Sequence, residues 1–178
     1  MKTSIALTGF MGTGKTAVGG ALAAKLGKAF VELDALIEKK AGRTIPEIFR
    51  QDGEIRFREL EIEAVKEVAG RKNAVIACGG GVVLNKINVD RLREECVIVY
   101  LTAPPEVILQ RTAGDNNVRP LLQAPERAAR IKELLSFRKP FYERAADIRI
   151  DTSRRDIDAV AERIMEKLGE HEGYRKQE

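Results

Sequence analysis

Between residues 9 and 16 the chain reads Gly9-Phe10-Met11-Gly12-Thr13-Gly14-Lys15-Thr16. An apolar run, Ile5 to Leu7, leads into this stretch, and Ala17 to Leu26 leaves it with helical patterning. A strand, a glycine loop ending in Lys-Thr and a helix, in that order, make a phosphate-binding loop. The glycines let consecutive backbone N–H groups turn inward around an anion with no Cβ in the way. The helix points the positive end of its dipole at the same anion. A nucleoside triphosphate, with ATP expected, is the ligand this implies. The expected contacts are Gly12, Thr13, Gly14, Lys15, Thr16 and Ala17. Lys15 would reach the β- and γ-phosphates, and the Thr16 hydroxyl would ligate Mg²⁺.

A phosphate loop sits at the carboxyl end of a strand, and the rest of the chain supplies the matching sheet. Strand-like runs fall at Ile5–Leu7, Ala29–Leu33, Ala74–Cys78, Val97–Leu101 and Ile148–Ile150, with helical segments between them. That alternation predicts an α/β fold: a central five-stranded parallel sheet between two helical layers, with right-handed connections. Its active site belongs at the carboxyl ends of the strands. One domain, residues 1–168, is expected from the length of 178 residues. The charged tail, residues 169–178, is expected to fray. The only histidine, His171, lies in that tail and is not expected to be catalytic.

Composition removes several function classes. No apolar run approaches a membrane span, and the N-terminus enters the first strand without a separate apolar leader, so a cytoplasmic protein is expected. The net charge of +4 comes from Lys and Arg interleaved with Glu along the helices, as in Glu54 to Glu67, which reads as a solvated surface. No RNA-binding motif accompanies it, so no nucleic-acid partner is expected. Cys78 and Cys96 form no metal-spaced pair and read as core residues, with Cys78 adjoining a glycine run. Asn85-Lys86-Ile87-Asn88 resembles a guanine-reading motif but ends in Asn and follows the wrong strand, so it reads as a loop.

The other strand ends hold the remaining candidates. After the second come Glu32 and Asp34, which in strand geometry share a side. One carboxylate would help hold Mg²⁺ through water; the other would orient an acceptor hydroxyl for in-line attack. Asp34 is also a candidate helix N-cap. A long helical region from Ile45 to Ala69, interrupted near Asp52-Gly53, carries Arg58 and Glu61 at i, i+3. An arginine so oriented suits a carboxylate ligand, although a surface ion pair fits the spacing equally well. The third strand ends in Gly79-Gly80-Gly81, which allow close backbone approach to an anionic group, or simply a flexible turn. Arg111 ends a short helix. Residues 112–124 read as a lid carrying Arg119, closing over ATP to exclude water. A helix is predicted over Pro125–Phe137, placing Arg138 at its end before Pro140. Arg154 or Arg155, in the turn after the last strand, would stack on the adenine.

Taken together, Gly9 to Thr16, Asp34, Gly53-Glu54-x-x-Phe57-Arg58-x-x-Glu61, Gly79-Gly80-Gly81, Arg119-Pro120-Leu121-Leu122 and Arg138-x-Pro140-x-Tyr142 with Ala146-Asp147 resemble the shikimate kinases. These belong to the nucleoside-monophosphate-kinase-like P-loop group. The resemblance runs from Ile5 to about Leu168. It implies transfer of the ATP γ-phosphoryl group to the 3-hydroxyl of shikimate, on the route to chorismate and the aromatic amino acids. By resemblance, Asp34 orients the hydroxyl, Arg58 and Arg138 hold the carboxylate beside Gly79, Gly80 and Gly81, and Lys15 and Arg119 stabilise the phosphoryl group in transit. Thr16 holds Mg²⁺, Arg111 and Arg154 flank the adenine, and the expected state is a monomer. The chain departs from the family at Glu32, where Asp is usual; the extra methylene must fold back, or the water shell of the ion must shift. A kinase for another sugar acid, such as gluconate, and a non-catalytic nucleotide switch are the rival readings.

Overall fold

The computed structural model describes residues 1–113 and 127–174. Five parallel strands form one sheet: β1 (Ser4–Thr8), β2 (Ala29–Glu32), β3 (Ala74–Ala77), β4 (Cys96–Thr102) and β5 (Ile148–Asp151), in the order β2-β3-β1-β4-β5. The helices are α1 (Lys15–Leu26), α2 (Leu33–Ala41), α3 (Ile45–Val68), α4 (Lys86–Glu95), α5 (Pro105–Ala113), α6 (Arg127–Ala145) and α7 (Ile157–Gly169). The three-layer α/β/α architecture expected from the alternating pattern is the one observed.

Strand residues alternate between the two layers, as a pleated sheet buried on both faces requires. Ile5, Leu7, Val97, Val99 and Leu101 pack with Val18 and Leu22 of α1 and with Val160 and Ile164 of α7. Ala6, Ile76, Ile98 and Tyr100 face the opposite layer, where Ile48, Val65, Leu92, Ile131 and Tyr142 cover them. The register aligns three strand ends: Leu7 pairs with Ala77, and Ala77 pairs with Glu32. The loops after β1, β2 and β3 therefore leave the sheet side by side.

Three expectations change. Asp34 is not a strand residue: β2 stops at Glu32, which occupies the N-cap position of α2, and Asp34 lies in the first helical turn. Glu32 and Asp34 are thus related by a strand-to-helix turn and not by pleat spacing. Second, α6 does not end at Phe137; it runs through Pro140 to Ala145, burying Ile131, Arg138, Tyr142 and Ala145. Proline costs a helix one N–H donor and a clash, and here the buried face outweighs that cost. Third, the tail as far as Tyr174 packs against the domain. Tyr174 bridges Lys2, is 9% exposed, and the Lys2 N–H donates to the Gly173 carbonyl at 2.8 Å.

Candidate active site

A cleft of about 1290 Å³ opens at the carboxyl ends of the strands, lined among others by Lys15, Thr16, Glu32, Asp34, Arg58, Glu61, Gly80, Arg111 and Arg138. One wall is the phosphate loop, whose Gly9, Gly12 and Gly14 all have positive φ. The first N–H groups of α1 have no acceptors within the helix, and Gly14, Lys15, Thr16 and Ala17 face the cleft. The Lys15 ammonium folds over the loop, donating to the carbonyls of Gly9 at 2.8 Å and Phe10 at 2.9 Å. Thr13, an expected nucleotide contact, also shapes the loop. Its hydroxyl and its N–H both donate to the Phe10 carbonyl, so it closes the turn, and its side chain is buried.

The Thr16 hydroxyl donates to Oε1 of Glu32 at 2.9 Å. The longer Glu side chain therefore reaches the Lys-Thr end of the loop and leaves two exposed oxygens side by side, which suits a hard cation. Among the described residues no group of three His, Cys, Asp or Glu side chains forms a metal cluster. An ion here would take its other ligands from phosphate and water.

The opposite wall is built on Gly79, Gly80 and Gly81. At Gly79 and Gly81 the absence of a side chain leaves room for neighbouring charged groups. A Cβ at Gly79 would lie 2.8 Å from Oδ1 of Asp34 and 3.2 Å from Oε2 of Glu61. At Gly81 it would run into the Arg58 guanidinium. At Gly80 it would meet Nη1 of Arg138 at 3.4 Å, and both the Gly9 carbonyl oxygen and the Met11 nitrogen at 3.7 Å. This backbone is thus covered by two carboxylates and two guanidiniums, and it abuts the phosphate loop. The Tyr142 hydroxyl donates to the Gly80 carbonyl at 2.5 Å, tying the run to α6.

Arg58 extends from α3, which is two helical segments joined at Gly53 (φ 81°, ψ 175°). It donates to Oε1 of Glu61 at 3.0 Å and to Oε1 of Glu54 at 3.1 Å. Burial pulls the guanidinium towards neutrality, but Glu61 and Glu54 outweigh this and hold it above its ordinary range. Burial pushes the Glu61 carboxyl up to about 7; Arg58 opposes the shift and Asp34 adds to it. Arg138, 3% exposed, lies over the Phe10 ring at 5.7 Å, so a residue of the phosphate loop supports the second arginine. Cys78 lines the cleft as well, but burial holds its thiol far above the usual range, which makes it inert.

On the nucleotide side, Arg111 donates to the Gly12 carbonyl at 3.3 Å, to Oγ1 of Thr152 at 2.9 Å and to the Thr152 carbonyl at 2.6 Å. These bonds tie Arg111 to the phosphate loop and to the turn after β5. Thr152 is a participant that reading the residues did not single out. Its buried hydroxyl lies 3.1 Å from the Thr13 carbonyl oxygen and 3.2 Å from that of Thr102. Its position just after β5, at a carboxyl strand end, was the available signal. Arg154 and Arg155 are exposed in the same turn. Arg119 and most of the expected lid lie outside the described residues. Asn85 caps α4, its side chain accepting from the Ile87 N–H, and Asn88 is buried, so that segment is structural.

Comparison with known proteins gives a consistent result. A family model described as shikimate kinase matches residues 11–169. A shikimate kinase of Caldanaerobacter subterraneus subsp. tengcongensis is 50% identical over 162 residues, covering 91% of this chain and 94% of that protein. One of Symbiobacterium thermophilum is 46% identical over 168 residues, covering 94% of this chain and 97% of that protein. The solved structure of the shikimate kinase from Acinetobacter baumannii in complex with shikimate is similar at a TM-score of 0.92 and 38% identity, covering 97% of this chain and 96% of that one. A gluconokinase from Sinorhizobium meliloti reaches a TM-score of 0.54 at 19% identity over 95% of this chain and 98% of its own, a likeness of fold alone.

Proposed function

The chain belongs to the shikimate kinase family, and from this premise we propose that it transfers the γ-phosphoryl group of ATP to the 3-hydroxyl of shikimate, giving shikimate 3-phosphate and ADP. The observation that carries the reading is the meeting at Gly80. One backbone position has the Arg138 guanidinium, the Gly9 carbonyl and the Met11 amide nitrogen all within 4 Å of where its Cβ would be. An acid held there lies against the loop that cradles the phosphates.

Each described residue then has a physical task. Arg58 and Arg138 bind the ring carboxylate through charge-assisted hydrogen bonds. Their fixed distance from the phosphate loop converts carboxylate recognition into placement of the far side of the ring. Asp34, in the first turn of α2, accepts the hydrogen bond of the 3-hydroxyl and aims its oxygen at the γ-phosphorus. As the new P–O bond forms, the bond from γ-phosphorus to the bridging oxygen breaks, ADP leaves, and the hydroxyl proton passes to the Asp34 carboxylate. Lys15 releases the loop carbonyls and follows the phosphates, whose charge is a far stronger acceptor. Arg111 stacks on the adenine while its bonds to Gly12 and Thr152 keep the two nucleotide loops together. Thr16 and Glu32 would hold Mg²⁺, which when bound neutralises the phosphate charge. Arg119 would add a further positive charge from the lid. The enzyme works as a cytoplasmic monomer on this reading; among the described residues no helix is long and apolar enough to cross a membrane.

The test is ADP release measured with shikimate, gluconate, nucleoside monophosphates or no acceptor. Turnover dependent on shikimate is the expected result. Equal or greater turnover with gluconate, or ADP release that ignores every acceptor, would replace this reading.

A further inference from the structure

Arg58 is held by two glutamates of very different freedom. Its Nη1 bonds Glu61, whose side chain is 1% exposed and enclosed between Arg58, Arg138, Asp34 and Gly79. Its Nε and Nη2, the two donors of one guanidinium edge, both point at a single oxygen, Oε1 of Glu54, at 3.3 and 3.1 Å. The Glu54 side chain is 51% exposed. A carboxylate ligand meets such an edge with two oxygens, one for each donor, which is the stronger arrangement. Glu61 is enclosed, whereas Glu54 already stands half in water and needs only a rotamer change to leave Arg58.

We infer that Glu54 is an internal stand-in for the acceptor carboxylate: it occupies the Nε–Nη2 edge of Arg58 in the free enzyme and is displaced when the acid binds. The inference deepens the shikimate reading and rests on it. Two consequences follow. Acceptor affinity is set below what Arg58 and Arg138 alone would give, because one carboxylate must leave as another arrives. Selectivity also rises, because a ligand without a carboxylate lacks the charge to displace Glu54. Until displacement, Glu54 occupies two of the arginine's donors and limits its capture of unrelated anions.

Isothermal titration of shikimate and of its methyl ester into wild type, Glu54→Gln and Glu59→Gln decides the matter. Glu59 pairs with Arg56 on the same helix and makes no bond to Arg58, so it reports the loss of one nearby charge alone. The expected result is shikimate binding about two- to fivefold tighter in Glu54→Gln, the range an exposed ion pair supports. Glu59→Gln should match wild type, and the methyl ester should show no gain in either variant. Unchanged or weaker shikimate binding in Glu54→Gln would overturn the inference and make Glu54 a support that positions Arg58. An equal gain in Glu59→Gln would overturn it too, leaving only long-range repulsion. Wild type that fails to bind shikimate would instead remove the functional reading, and the inference with it.

Discussion

At the scale of single residues, three consecutive glycines carry more of the account than any charged group. Gly81 has φ −101°, which any residue adopts, so its backbone does not demand glycine. The demand is for space, because Arg58 passes where a side chain would be. Gly81→Ala should therefore push the guanidinium off its place while leaving the nucleotide side intact. The expected outcome in steady-state kinetics is a shikimate KM raised about ten- to hundredfold, the worth of a charged hydrogen bond, with the ATP KM unchanged. Sequence reading could find the glycine run and the two arginines but not which residue fills the space beside which glycine, because that depends on α2, α3 and α6 converging. For the same reason it left Arg58 balanced between ligand and surface pair. A spacing of i, i+3 says that Arg58 and Glu61 can meet; only packing shows that Glu61 is buried and faces Asp34.

At the scale of elements, two helices depart from local propensity, and each delivers an arginine. Gly53 interrupts α3 at φ 81° and ψ 175°, a conformation that a side chain strains. The interruption was legible, since Asp-Gly within a helical pattern is a break signal. Its purpose was not, because the direction of the second segment is a tertiary fact. Gly53→Ala should cost roughly 1–3 kcal/mol of stability, read by urea unfolding. It should also raise the shikimate KM, because the Arg58 turn is re-aimed; stability and KM both unchanged would show that the break carries neither burden. The course of α6 was not legible at all. Local rules end a helix near proline, yet buried Tyr142 and Ala145 carry it five residues past Pro140. Burial of that face decides the outcome.

At the scale of the whole molecule, the architecture was readable because its signals are long and repeated: five apolar runs, each followed by a helix, with a phosphate loop at the first. Strand order was not readable, and it is what puts β2, β3 and β1 side by side so that three loops converge. The tail, as far as it is described, was less legible. Residues 169–178 carry charges and few apolar groups, yet as far as Tyr174 the tail is docked, by the buried Tyr174 ring with the Lys28 ammonium 5.6 Å from its centroid and by the bond from the Lys2 N–H to the Gly173 carbonyl. Tyr174→Ala should lower unfolding free energy by about 2–3 kcal/mol and leave the shikimate KM unchanged, since the contact lies in the core layer of α1 and α7. A fraying tail would give no change in stability.

The most direct measurement is a crystal structure with shikimate and a non-hydrolysable ATP analogue bound together. The account predicts the ring carboxylate within hydrogen-bond distance of both Arg58 and Arg138, and the 3-hydroxyl against Asp34 and in line with the γ-phosphorus. A carboxylate bound away from those two arginines, or a hydroxyl oxygen off that line, would contradict it.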